Sequence, residues 1–204
     1  MTLLVVATSN PGKLTEMQAY LTDPSLPWEL SLKPKALEIE ETGTTFLENA
    51  CLKASQVAKA LGQWSIADDS GLMVNALNGA PGIYSARYAD TDADRIARLL
   101  RELDHQPDSP AGGTASHRQA QFVCAIALAR PDGSIALHTE GICVGEIISA
   151  PRGSGGFGYD PIFYVPEAGM TFAEMPPELK HRVSHRGKAF EALLPQLKEI
   201  NPES

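Results

Sequence analysis

Four glycine-marked polar segments carry residue types that could do chemistry. The first, Thr8-Ser9-Asn10-Pro11-Gly12-Lys13, ends an apolar run and opens a helical pattern. Free N–H groups and the positive dipole end at a helix start suit a phosphate, and Lys13 adds a point charge. The spacing is not that of a Walker loop, which would need Gly at Ala7 and Ser or Thr at Leu14. Helix capping with a solvated lysine accounts for the same residues. The second segment is Glu38, Glu40 and Glu41 followed by Thr42-Gly43-Thr44-Thr45, and the third is Asp68-Asp69-Ser70-Gly71. Adjacent carboxylates at the end of an apolar strand repel each other, so burying both calls for a cation. Hard oxygen donors of this kind suit Mg²⁺, which takes one or two carboxylates and completes its shell with water and phosphate oxygens. An Asp-Gly turn beside an acidic surface stretch is the plainer alternative.

The fourth segment is Gly153-Ser154-Gly155-Gly156-Phe157-Gly158-Tyr159-Asp160-Pro161. Its glycines permit close backbone approach, and Phe157 and Tyr159 offer flat faces to a base. Beyond it lies a basic run, Lys180-His181-Arg182-Val183-Ser184-His185-Arg186-Gly187-Lys188, expected to precede a closing helix and so to favour an anion or a purine edge. A nucleoside triphosphate with Mg²⁺ would use all of these pieces together.

The elements that must position them read as follows. Leu3–Ala7 is a buried strand, and Asn10 and its neighbours cap a helix that starts at Pro11 and runs to about Leu21. Trp28–Leu32 is a further strand. Thr45 and Glu48 form a capping box for a helix whose apolar stripe is Phe46, Leu47, Ala50, Cys51, Ala54, Val57, Ala58 and Leu61, with Gly62 beyond its end. Glu48, Asn49, Lys53 and Gln56 are expected on its polar side. Trp64–Ala67 and Leu72–Asn75 read as two strands separated by the acidic segment. A helix covers Asp92–Leu103, and a long loop covers 104–116. Strands Gln119–Ala129 and Ser134–Ile148 meet at the turn Pro131-Asp132-Gly133, and Gly187–Ile200 is the closing helix. Early alternation of strand and helix with a later hairpin predicts an α/β class with a mixed sheet.

The chain has 204 residues, which predicts one domain over 1–204. Lys plus Arg number 17 against 25 Asp plus Glu, a formal charge of −8 that argues against nucleic acid or an anionic membrane as a partner. No apolar run approaches the ~20 residues of a membrane span, and the first residues read as a strand. Cys51, Cys124 and Cys143 form no CxxC pair and sit among apolar neighbours, so buried free thiols are expected. His181 and His185 are four apart but lack the HExxH pattern.

Six ordered motifs resemble the bacterial branch of the inosine/xanthosine triphosphate pyrophosphatase family, and the likeness runs from residue 3 to about residue 197. They are the segments 8–13, 41–50 (Glu41-Thr42-Gly43 through Thr45-Phe46-Leu47-Glu48-Asn49-Ala50) and 67–72. To these are added Gly79-Ala80-Pro81-Gly82-Ile83-Tyr84-Ser85-Ala86-Arg87-Tyr88, residues 155–163 and Ser184-His185-Arg186-Gly187-Lys188-Ala189. Ser9 departs from the pattern, where the family often has Gly. The resemblance implies an elongated central mixed sheet with flanking helices, two lobes around an active-site cleft, and a homodimer in the cytoplasm. It implies hydrolysis of dITP, ITP, XTP and dXTP to the monophosphate and pyrophosphate.

By the same resemblance, Thr8, Ser9, Asn10, Pro11, Gly12 and Lys13 would hold the phosphates, Lys13 facing the charge that develops on cleavage. Glu41, or its neighbour Glu40, would bind Mg²⁺ with Asp69, and Asp69 would also be the base for the attacking water. Lys53 and Ser70 would contact substrate. Phe157 would stack on the base, with Gly158, Tyr159 and Asp160 shaping the pocket and Lys180, His185 and Arg186 reading the purine edge. A Maf-like pyrimidine nucleotide pyrophosphatase and a nucleotide binder that does not hydrolyse are the alternatives.

Overall fold

The computed structural model describes residues 2–8, 10–21, 26–106 and 117–201. Ser9 and most of the loop expected over 104–116 lie outside them. Seven strands form one sheet in the order β2-β1-β3-β4-β5-β6-β7. They are β1 (Thr2–Val6), β2 (Trp28–Leu32), β3 (Trp64–Val74), β4 (Gln119–Ala129), β5 (Ile135–Ile147), β6 (Phe163–Val165) and β7 (Met170–Thr171). The helices are α1 (Pro11–Leu21), α2 (Phe46–Leu61), α3 (Asp92–Asp104), α4 (Pro177–Val183) and α5 (His185–Glu199). β1 pairs parallel with β2 and β3, whereas β5, β6 and β7 pair antiparallel, so the expected mixed sheet is present. Among the described residues no helix is long and apolar enough to cross a membrane.

The chain divides into two compact units. The first holds residues up to Asp69, Cys124–Gly141 and the chain from Arg186 onward; the second holds Ser70–Val123 and Ile142–His185. In the first unit the two-residue period of the strands sends Leu4, Val6, Trp64, Ile66, Cys124, Ile126 and Leu128 into one core with Met17 and Leu21 of α1 and Phe190, Leu193 and Leu197 of α5. The intervening residues Val5, Ala7 and Ser65 are buried as well, so these strands are covered on both sides, as parallel strands usually are. α2 keeps its predicted start: Glu48 N donates to Thr45 Oγ1 at 3.1 Å and the Glu48 carboxylate takes Thr45 N at 3.3 Å. Gly62, at φ 62°, ends it with a backbone N–H to Ala58. In the second unit Phe122, Phe163 and Phe172 form an aromatic centre, with centroids 4.7 to 5.7 Å apart. Leu72, Ile96, Leu99, Leu103 and Ile162 pack around it.

Two expectations change. β3 is one strand of 11 residues rather than two with a turn between them. The acidic segment stays extended because cations meet its carboxylates, so no exposed turn is needed. α5 begins at His185, not Gly187, which puts His185 and Arg186 inside the helix. His181 lies on α4, so it and His185 do not share a helix face. α4, β6 and β7 had no strong sequence signal, being only two to seven residues long.

Candidate active site

The first unit holds Lys13, Glu41, Lys53, Asp68, Asp69 and Arg186. Asn10 caps α1, its Oδ1 accepting from Gly12 N at 2.9 Å and Lys13 N at 3.3 Å, while Asn10 N donates to Thr8 Oγ1 at 3.1 Å. Capping therefore fixes the helix start that the sequence offered as a phosphate cradle. Lys13 Nζ lies 3.1 Å from Asp68 Oδ2. The same oxygen accepts from Arg186 Nη2 at 3.0 Å, and Arg186 Nη1 meets Glu16. Burial alone would push the Asp68 carboxyl up, but Lys13, Arg186 and Lys53 outweigh it and hold that carboxyl well below the usual range.

One residue further along β3, Asp69 Oδ1 accepts from Lys53 Nζ at 2.8 Å, and Glu41 Oε1 reaches the same ammonium at 3.0 Å. Two carboxylates thus converge on one cation. Burial would lower the Lys53 pKa, yet Asp69, Asp68 and Glu41 raise it, so the ammonium stays charged. Glu40 is fixed by its backbone instead: its N–H donates to Gln56 Oε1 at 3.1 Å and its carbonyl accepts from Gln56 Nε2 at 2.8 Å. That pinning leaves Glu41 as the glutamate at Lys53. The polar side expected for α2 is only partly exposed, because Asn49 and Lys53 are buried at 1% and 6% exposure. Their charge and hydrogen-bonding partners on β3 and the 41–43 loop account for it.

The second unit carries the aromatic loop. Asp160, buried, accepts from Phe157 N at 2.9 Å and from Lys180 Nζ at 2.8 Å through the same Oδ2. The Lys180 ammonium stands 5.3 Å from the Phe157 ring centroid. Gly158 N donates to Asp92 Oδ2 at 2.8 Å, and the Tyr159 hydroxyl donates to Ser85 O at 3.0 Å. Gly156 sits at φ 73°, where an added Cβ would come within 1.9 Å of Asp160 Oδ2; the glycine is needed for both conformation and space. His185 stacks on Phe122 at 4.7 Å. Ser70, on β3, is half-buried.

Sequence reasoning missed Asn49, Glu16 and Asp92. Asn49 and Asp92 stood in helix first turns, where a polar residue has an ordinary capping explanation; Asn49 also stood within the 41–50 motif, where Glu41 alone was given a site role. Among the described residues no three His, Cys, Asp or Glu side chains cluster as a preformed metal cage. The two-carboxylate oxygen donor set of Glu41 and Asp69 still suits a hard cation, since both carboxylates already converge on one positive charge, the Lys53 ammonium.

Fold and site together define an α/β protein with a lysine at a capped helix start and carboxylates converging on a second lysine, a charge pattern suited to a polyphosphate. The Ham1 family model matches residues 4–196, and the chain belongs to that family. A Nostoc sp. protein named dITP/XTP pyrophosphatase is 67% identical over 195 residues, covering 96% of this chain and 94% of its own. A Synechocystis sp. protein of the same name is 61% identical, covering 96% and 95%. A solved structure of a HAM1 protein from Coxiella burnetii superposes with a TM-score of 0.86 at 44% identity, over 98% of this chain and 100% of that one.

Proposed function

We propose that the chain is a nucleoside-triphosphate pyrophosphohydrolase that converts dITP and XTP, and with them ITP and dXTP, to the monophosphate and pyrophosphate. It would thereby clear deaminated purines from the precursor pool. The observation that carries this reading is the meeting of Glu41 and Asp69 on one ammonium, in a chain so similar to relatives named dITP/XTP pyrophosphatase.

Water adds to phosphorus as the anhydride bond between the α and β phosphates breaks, and its proton passes to Asp69. Thr8, Ser9, Asn10, Pro11, Gly12 and Lys13 take the phosphates, with Lys13 opposite the charge that builds on the leaving pyrophosphate. Lys53 neutralises phosphate charge, and Ser70 touches the substrate. Glu41 and Asp69, with Glu40 adjacent, would hold Mg²⁺, which when bound neutralises phosphate oxygens and polarises the phosphorus. The base stacks on Phe157 beside Gly158, Tyr159 and Asp160, and Lys180, His185 and Arg186 face its edge. For Arg186 an incoming purine has to compete with Asp68 and Glu16, which already hold both of its terminal nitrogens.

Hypoxanthine and xanthine present a 6-oxo acceptor that a donor in this set satisfies. Adenine presents a 6-amino group and would leave that donor unpaired, at a cost of ~1–3 kcal/mol. Guanine shares the 6-oxo group, so its rejection acts at the 2-amino position against the 157–160 loop. The reading includes a cytoplasmic homodimer with neither nucleic acid nor membrane as a partner, in keeping with the formal charge of −8.

Pyrophosphate release from dITP, ITP, XTP, GTP, ATP and dTTP, with Mg²⁺ and again with EDTA, tests the reading. The expected result is metal-dependent release from dITP, ITP and XTP, with GTP slower by more than tenfold. Preference for dTTP would move the chain to pyrimidine nucleotides, and binding of dITP without turnover would remove the enzyme assignment.

A further inference from the structure

Asn49 is buried to 1% exposure in the first turn of α2, and both ends of its amide are engaged. Its Oδ1 accepts from Gly43 N at 2.8 Å, and its Nδ2 points to Asp69 Oδ2 at 3.4 Å. The orientation of the amide is fixed by chemistry. A backbone N–H can only donate, so the oxygen must face Gly43, and the nitrogen is then left to face a carboxylate. Lys53, one helical turn on and on the same face of α2, binds the other oxygen of Asp69 and also Glu41.

The result is a closed ring within one unit. Asn49 ties Gly43 to Asp69, Lys53 ties Asp69 to Glu41, and two peptide units join Glu41 back to Gly43. Gly43 is packed against this amide, for an added Cβ would lie 2.7 Å from Asn49 Oδ1. The loop that carries Glu41 therefore has no slack on the Asn49 side. We infer that Asn49 is a positioning residue for the reaction: its amide sets the separation of the Glu41 loop from Asp69, so that both carboxylates can address one divalent cation. The inference rests on the function proposed above and adds to it a residue that touches neither phosphate nor base.

Two variants test it. Asn49→Asp is isosteric and keeps the acceptor for Gly43 N, but it sets a carboxylate against Asp69. Asn49→Ala removes both contacts. The proteins are compared by circular dichroism, by kcat and KM for dITP, and by calorimetric titration with Mn²⁺ alone. The expected results are a kcat for Asn49→Asp reduced at least tenfold with KM changed less than threefold, and Mn²⁺ binding to folded Asn49→Ala weakened about tenfold. Folded variants with kcat and Mn²⁺ affinity within twofold of the parent would overturn the inference. So would failure of both to fold, since the amide would then be a structural requirement only. If the parent protein releases no pyrophosphate, the proposed function fails by itself, while the Mn²⁺ titration still decides the role of Asn49.

Discussion

Asp68 Oδ2 accepts from Arg186 Nη2 at 3.0 Å, joining the middle of β3 to the first turn of α5 across a span of 118 residues. Both groups are buried, and Arg186 also meets Glu16 on α1. Removing one partner of such a buried network leaves charge uncompensated, which costs about 3–5 kcal/mol. Arg186→Ala should therefore lower the urea midpoint sharply, and Arg186→Lys should fall between, since an ammonium lacks the guanidinium fork. Substrate selectivity separates the two uses of this residue. A lowered dITP-over-ATP preference in Arg186→Lys places the guanidinium on the purine, whereas an unchanged preference with lost stability confines it to Asp68 and Glu16.

Ser65 offers the opposite sign. It is completely buried on β3, and its hydroxyl finds no hydrogen-bond partner among the described residues. A buried, unsatisfied hydroxyl carries its desolvation cost without return. Ser65→Ala should stabilise the protein by about 1 kcal/mol, a rise of roughly 2–4 °C in Tm for a chain of this size. A calorimetric scan that shows a lower Tm would mean the hydroxyl is satisfied.

The contrast between Ser65 and Asn49 marks what was legible in the sequence. Long elements with clear periodicity and caps, such as α2 with Thr45, Glu48 and Gly62, are written locally and appear at the expected residues. The sheet order was not, because pairing depends on residues far apart in the chain. The acidic segment misled for the same reason: Asp68 and Asp69 resemble a turn until Lys13, Lys53 and Arg186 arrive from three helices, α1, α2 and α5. Lys13 could be picked out by type and position at a helix start, whereas Glu41 and Lys53 gained their roles from the family resemblance. Asn49 and Asp92 could not be picked out, since their partners Asp69 and Gly158 lie 20 and 66 residues away.

Tyr88 supplies a spectroscopic prediction. Its ring is covered, its hydroxyl donates to Glu102, and Arg98 lies 3.9 Å above the ring centroid. Burial and then the Glu102 carboxylate push its pKa up to about 12. The folded value exceeds the unfolded one, so the stabilisation is intact below the ordinary tyrosine value of about 10 and is lost as pH rises toward 12. The difference in phenolate absorbance between the parent and Tyr88→Phe should be flat through pH 10 and grow only above pH 11. A difference that develops near pH 10 would show the hydroxyl to be free of Glu102.

Gly156 and Gly158 provide a matched pair for the aromatic loop. Both have positive φ, 73° and 62°, so alanine at either costs about 1–2 kcal/mol in backbone strain. Only at Gly156 does the new Cβ collide, 1.9 Å from Asp160 Oδ2; at Gly158 it meets nothing within 4 Å. The collision displaces the carboxylate that holds Phe157 N and Lys180 Nζ. Gly156→Ala should therefore raise the KM for dITP at least tenfold with kcat less affected, while Gly158→Ala shows the strain in Tm and a smaller change in KM. Equal KM effects from the two would show that backbone strain, and not the Asp160 carboxylate, governs the loop. A larger effect at Gly158 would shift the weight to its N–H, which donates to Asp92 Oδ2 at 2.8 Å; Asp92→Ala, which removes that acceptor, should then raise the KM as well, and Asp92→Asn, which keeps a neutral acceptor, should stay closer to the parent.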